Sequence, residues 1–246
     1  ICQCSTNIEC VSLSNYKLGV EVGIFKSNKA LVIWNGSSGG VDLERFNICH
    51  RAQWRSEIRC QLGLQEKDFV FGFVGRITKD KGINEILKAF LQINVPSKLL
   101  LIGRREDVGS LDLTLYQNSL QNKNIMYIDE VQDIERYYAA LDVLLLPSYR
   151  EGFGNVVIEA EAMGTPAIVS KIPGPIDTIQ EMTTGLFVKV KDYRDLSLKM
   201  QSLANGDIQF LPENCADFVR EKFDSKVLCD HILEHKNKLL KTSMKK

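Results

Sequence analysis

Apolar positions in this chain follow two alternating periods. Short, nearly continuous runs of Val, Ile, Leu and Phe occur at 30–33, 69–74, 98–102, 124–128, 143–146, 167–169 and 186–190. Runs of this kind read as strands buried on both faces. Helical spacing fills the intervals: Ile83, Ile86, Leu87, Phe90 and Leu91 fall on one helix face. Asp133 is placed to cap a helix over 134–140, and Asp192 one over 193–204 that Gly206 ends. Strands alternating with helices predict an α/β fold, a Rossmann-like parallel sheet with helices on both faces. Ligands of such sheets bind at the carboxyl ends of strands. The loops after residues 74, 102, 128, 146 and 169 are therefore where chemistry is expected.

Residues 8–14, IECVSLS, read as a further strand that begins without a preceding partner. The stretch WNGSSGGVDLERF, 34–46, is rich in Gly and Ser and opens on a turn signal, as a hinge would. From 207 onward the pattern is helical, ending in the Lys-rich KNKLLKTSMKK. The chain starts with Ile and carries no charged-then-apolar leader. These features predict three parts: a tail and linker over 1–34, a main domain over 35–206, and terminal helices over 207–246. They also predict a fragment or processed chain in which 1–30 and the helices after 207 pack less tightly than 69–190.

Composition narrows the function classes. With Lys+Arg and Asp+Glu both 31 in 246 residues, no global basic field draws the chain to nucleic acid. The seven cysteines include no C-x-x-C pair and read as reduced thiols of a cytoplasmic protein. No apolar run approaches the roughly 20 residues of a membrane span.

The segment EGFGNVVIEAEAMGTPAIV, 151–169, follows a strand that Pro147 closes. It reads as a glycine-containing loop entering a helix over 155–163, which Gly164 stops. Glycines let backbone approach a ligand, and the first helical amides lack internal partners, which together make a seat for phosphate. Glu159 lies about one turn inside, within reach of ribose hydroxyls; Glu151 stands at the mouth, where a sugar ring would sit. Glu161 is about 200° round the helix from Glu159 and reads as a solvated acid. The spacing of Glu151 and Glu159 alone decides nothing, since Glu213 and Glu221 repeat it. VGRITKDKG, 74–82, ends another strand and offers Arg76 as a planar fork and Lys81 as a point charge. Taken singly, these two could be loop cations pairing with Asp80 or Glu85.

Taken together, VGRITKDKG and the later PSYREGFGNVVIEAEAMGTPAIVS resemble the donor half of the retaining group-1 (family 4) glycosyltransferases. NGSSGGVDLERF resembles their interdomain stretch, and ECVSLS the last strand of their first domain. The resemblance implies the GT-B plan of two Rossmann-like domains, of which this chain carries the C-terminal, nucleotide-sugar-binding one. It implies that Arg76 and Lys81 hold the donor diphosphate, that Glu159 takes the ribose and that Glu151 contacts the sugar. Backbone at Gly75, Gly152, Phe153, Gly154, Asn155 and Val156 would meet sugar and phosphates, and Val131 would present its backbone to the base. The loop reads PGPID where many relatives carry a Glu near Asp177, which leaves the role of Asp177 open.

The same resemblance implies metal-independent transfer with retention and no cofactor, the nucleotide sugar (UDP-sugar favoured) being a substrate. The acceptor would be a glycan or polyprenyl-linked, reached through an N-terminal domain without which the fragment would be inactive. A capsular or O-antigen role at the cytoplasmic face of the inner membrane would follow, with peripheral membrane association. Two alternatives stay open: a nucleotide-sugar-binding module without turnover, and a GT-B sugar-nucleotide epimerase. HILEH, 231–235, has the spacing of a zinc motif but reads as an amphipathic terminal helix, which the resemblance implies packs toward the first domain. Tyr137 and Tyr138 read as core.

Overall fold

The computed structural model describes residue 2 and residues 4–243. In chain order the elements are β1 (Ile8–Cys10), α1 (Leu13–Glu21), β2 (Ala30–Val32), α2 (Arg51–Gln61), β3 (Phe69–Val74) and α3 (Ile83–Phe90). Then come β4 (Ser97–Ile102), α4 (Leu113–Leu120), β5 (Ile125–Ile128), α5 (Ile134–Ala140), β6 (Val143–Leu146) and α6 (Asn155–Ala162). The chain closes with β7 (Ala167–Ser170), β8 (Gly185–Val188), α7 (Tyr193–Ala204), α8 (Pro212–Phe223) and α9 (Ser225–Ser243). No helix among the described residues is long and apolar enough to cross a membrane.

Six strands form one parallel sheet in the order β5-β4-β3-β6-β7-β8. Their continuous apolar sequences suit burial on both faces, and Val70, Phe71, Leu99, Leu100, Leu144 and Ile168 are fully inaccessible. Phe71 pairs with Leu99 on one side and Val143 on the other. The strand order decides where a ligand can sit. From β3 the chain winds outward to β4 and β5; from β6 it winds the other way, to β7 and β8. The loops leaving β3 and β6 therefore diverge and open a crevice at the strands' carboxyl ends.

The opposite end of the sheet, at the amino termini of the central strands β3 and β6, is locked by α2. Arg55 and Arg59 each reach a different oxygen of Asp142 at 2.7 Å, and the same carboxylate accepts the Val70 amide at 2.7 Å. Arg59 is almost wholly buried and also donates to the carbonyls of Ala140, Gln65, Glu66 and Asp68.

Several expectations need correction. Residues 8–14 are not one strand: β1 pairs in parallel with β2, and Ser12 ends it by accepting the Asn15 amide as the cap of α1. Asp133 makes no side-chain cap; its carboxylate is taken by Arg136 at 3.1 Å. Asp192 does cap α7. The helices after 207 do pack less tightly than 69–190, but unevenly: α8 lies on α6 and buries Cys215, Ala216, Val219 and Phe223, whereas α9 leaves Leu233 and Leu240 exposed. This explains the clearest error. Glu161 is fully buried, because the face of α6 that points away from the crevice is covered by α8. The end of the Lys-rich tail, 244–246, lies outside the described residues.

Candidate functional site

The two loops that the strand order separates carry the charged groups. After β3, Gly75 and Arg76 lead into a turn over Lys79–Lys81 that Gly82 ends. Gly82 has a φ of 77°, and a side chain there would lie 2.4 Å from the Pro147 carbonyl oxygen. Only glycine lets this turn close onto the end of β6. The closure brings Lys81 Nζ to 2.6 Å from Glu151 Oε2, with both side chains more than four-fifths buried. Arg76 is more exposed and reaches toward Glu106, 3.6 Å away.

Around these groups lies a cavity of about 410 Å³, lined by Arg76, Lys81, Glu151, Gly152, Phe153, Gly154, Asn155 and Val156. The start of α6 thus faces both cations. The Val157 amide is satisfied by the Gly154 carbonyl at 2.9 Å, while the amides of Asn155 and Val156 precede the first intrahelical bond. The side chain of Asn155 is held by the linker, donating to Ser38 Oγ at 2.6 Å. The Phe153 ring turns inward, edge-on to Phe223 with centroids 5.5 Å apart, so it offers the cavity backbone rather than a ring face.

A second cavity, of about 420 Å³, adjoins the first through Val74, Gly75, Arg76 and Val156. Glu159, Tyr138 and Val131 line it, with Arg104, Glu106 and Glu130 at its rim. The Tyr138 hydroxyl donates to Glu159 Oε2 at 3.0 Å. Burial raises the Glu159 carboxyl above its ordinary value, against the pull of that hydrogen bond and of the Arg45 charge. Burial also drives the Tyr138 phenol well up, the neighbouring carboxylate adding to it. Arg45 donates to Glu135 at 2.9 Å and to the Gln132 carbonyl at 2.6 Å, pinning the loop that carries Val131.

All eleven residues singled out in the sequence therefore line one continuous cleft of two lobes. Two lobes of similar size, joined at a glycine-backed waist beside Arg76, suit an elongated ligand with an anionic middle. The sequence reading missed several contributors. Arg104 donates to Glu130 at 2.6 Å across the second lobe's rim; its signal was the Gly103-Arg104 pair after β4, a repeat of Gly75-Arg76 after β3. Tyr138 is core, as its sequence position reads, but its hydroxyl also reaches Glu159, a role with no local signal. Asp177 touches neither lobe. Of the HILEH pair, His231 stacks on Trp34 with centroids 5.7 Å apart, and His235 lies 3.7 Å from Glu9. The terminal helix thus runs back along the N-terminal segment.

Comparison with known proteins gives concordant results. The sequence model of glycosyl transferases group 1 matches residues 55–222. The capsular polysaccharide biosynthesis glycosyltransferase CapM of Staphylococcus aureus is 34% identical over 98% of this chain and 63% of its own length. The N,N'-diacetylbacillosaminyl-diphospho-undecaprenol alpha-1,3-N-acetylgalactosaminyltransferase of Campylobacter jejuni is 28% identical over 80% of this chain and 50% of its own. Anabaena HepE, solved with UDP and glucose, superposes with a TM-score of 0.81 at 19% identity, over 95% of this chain and 63% of its own. The chain thus spans between half and two thirds of the length of these relatives.

Proposed function

This chain belongs to the group 1 glycosyltransferases, and on that premise we propose that its cleft holds a nucleoside-diphosphate sugar, UDP-sugar favoured, for transfer to a glycan or lipid-linked acceptor. The observation that carries the reading is the meeting of Lys81 and Arg76 with the start of α6 in one cavity. The diphosphate would lie where the first lobe meets the waist, between Lys81, Arg76 and the first amides of α6. The nucleoside would extend into the Glu159 lobe, its ribose hydroxyls donating to that carboxylate and its base edge meeting Val131. The sugar would lie against Gly152–Asn155 beside Glu151.

The chemistry follows from the charges. As the anomeric carbon loses its leaving group, negative charge grows on the diphosphate, and Lys81, Arg76 and the helix amides are already placed to receive it. Glu151 faces the carbon side, where positive character develops. Retention of configuration belongs to this proposal, as does the assignment of residues 35–206 to the donor half, 1–34 to the tail of an acceptor domain and 207–246 to a return crossing. The two relatives named for capsule synthesis and for a diphospho-undecaprenol substrate support a surface-polysaccharide role with a lipid-linked acceptor at the cytoplasmic membrane face. Calorimetric titration with UDP and with GDP tests the donor site. Saturable binding of UDP, weaker for GDP, is expected; binding of neither overturns the reading. Transfer absent from this chain but present in a longer gene product would leave the chain as a donor-binding module.

A further inference from the structure

Asp177, in the turn after β7, lines neither donor lobe, yet one oxygen of its carboxylate is held by α1. Oδ2 accepts the Ser14 amide at 2.9 Å and the Ser14 hydroxyl, from a residue 163 positions earlier. The Ser14 hydroxyl in turn accepts the Gly174 amide at 2.8 Å. One residue on, the Asn15 side-chain amide donates to the Gly152 carbonyl. Ser14 and Asn15 occupy the first turn of α1, whose leading amides have no intrahelical acceptor, so a carboxylate from across the chain completes the cap that Ser12 begins. The two donor-side loops also touch. Gly174 has a φ of 94°, and a side chain there would lie 2.7 Å from the Gly152 oxygen. The start of α1, the turn over 174–177 and the glycine loop at 152 form one closed contact bordering the Glu151 lobe.

We propose that Asp177, acting through Ser14 and Asn15, is a positioning residue that fixes the glycine loop so that its backbone orients the donor sugar. The proposal rests on the donor reading above and assigns Asp177 no contact with substrate. Its reach is local: the nucleoside lobe is built on α5, α6 and the loop after β5, none of which hydrogen-bonds to Asp177. Loss of the clamp should therefore separate recognition of the sugar from recognition of the nucleotide, which a general loss of stability does not do.

The test uses Asp177→Ala, Asp177→Asn and Ser14→Ala in this chain. Hydrogen exchange at residues 152–155 and in α1 is expected to quicken in D177A and S14A, with 125–131 unchanged; unaltered exchange at 152–155 overturns the proposal. Calorimetry then compares UDP with UDP-glucose, UDP-galactose and UDP-N-acetylglucosamine. UDP affinity is expected to stay within about twofold, while the preference for the best UDP-sugar over UDP falls about tenfold in D177A, with D177N between it and wild type. A preference equal to wild type in D177A overturns the orienting role even where exchange quickens. Wild-type chain that binds no UDP defeats the donor reading instead, and the exchange result still reports whether the clamp holds the loop.

Discussion

Lys81 Nζ lies 2.6 Å from Glu151 Oε2, so the cation proposed to meet the diphosphate is already held by the carboxylate proposed to face the sugar. The pair is largely buried, and each partner shields the other from the cost of an isolated buried charge. Binding a diphosphate asks Lys81 to share its charge with a third party, which makes the two residues unequal in their effect on affinity.

Lys81→Ala should weaken UDP binding roughly 10- to 100-fold, the loss of one charge-assisted hydrogen bond plus the exposure of Glu151 to the anion. Glu151→Gln should leave UDP binding unchanged or strengthen it a few-fold, since it removes a negative neighbour of the phosphates. Transfer by the full-length gene product should nevertheless fall in both. Calorimetry and steady-state kinetics on the two variants check this; equal losses of UDP affinity would place Glu151 on the nucleotide rather than on the sugar.

Glu159 gives a prediction in pH. Burial raises its carboxyl above the ordinary range. A carboxylate that accepts ribose hydroxyls binds best when ionised, so UDP affinity should fall as pH drops through a value higher than that of a free glutamate. Glu159→Gln should bind UDP more weakly at neutral pH and lose the acid step. Titration of UDP Kd from pH 5 to 8 distinguishes the two, and a wild-type profile identical to that of the Gln variant would remove Glu159 from the ribose site.

What the sequence reveals of this fold depends on range. Strands such as β3 and β6 were legible to the residue because parallel-sheet burial imposes continuous apolar runs, and the loops after them were legible because glycine, proline and cations punctuate them. What was illegible depended on a partner distant in the chain. The burial of Glu161 needed α8 laid over α6. The hydroxyl of Tyr138 gained meaning only opposite Glu159, 21 residues away. The role of Asp177 needed Ser14, and no local pattern links positions 163 apart.

The lock at the amino-terminal end of the central strands should matter to stability and not to the ligand. Asp142→Ala strips Arg55 and Arg59 of their shared carboxylate and leaves Arg59 buried with its charge uncompensated on that side. A loss of about 3 kcal/mol in urea unfolding is expected, the low end for breaking a buried pair because Asp142 is one-fifth exposed. UDP affinity of the folded fraction should be unchanged, since this end of the strands lies opposite the crevice. A selective loss of UDP binding with intact stability would contradict the division between scaffold and site.

Glu161 carries the reverse expectation. Its carboxyl is fully buried under α8, and neither oxygen makes a well-formed hydrogen bond, so desolvation raises it well above the ordinary carboxylate value. The native state then keeps its proton while the unfolded chain loses it above about pH 4.5. Across that interval the native state binds more protons than the unfolded one, so stability declines as pH rises, by up to roughly tenfold in the folding equilibrium per pH unit for this group. Glu161→Gln keeps the shape and removes the titration. The variant should therefore gain stability relative to wild type as pH rises from 5 to 8, while the two differ little near pH 4. Thermal unfolding across that range reads the difference directly. Parallel curves for the two proteins would mean that Glu161 is already ionised in the folded chain, held by a partner that its buried position does not reveal.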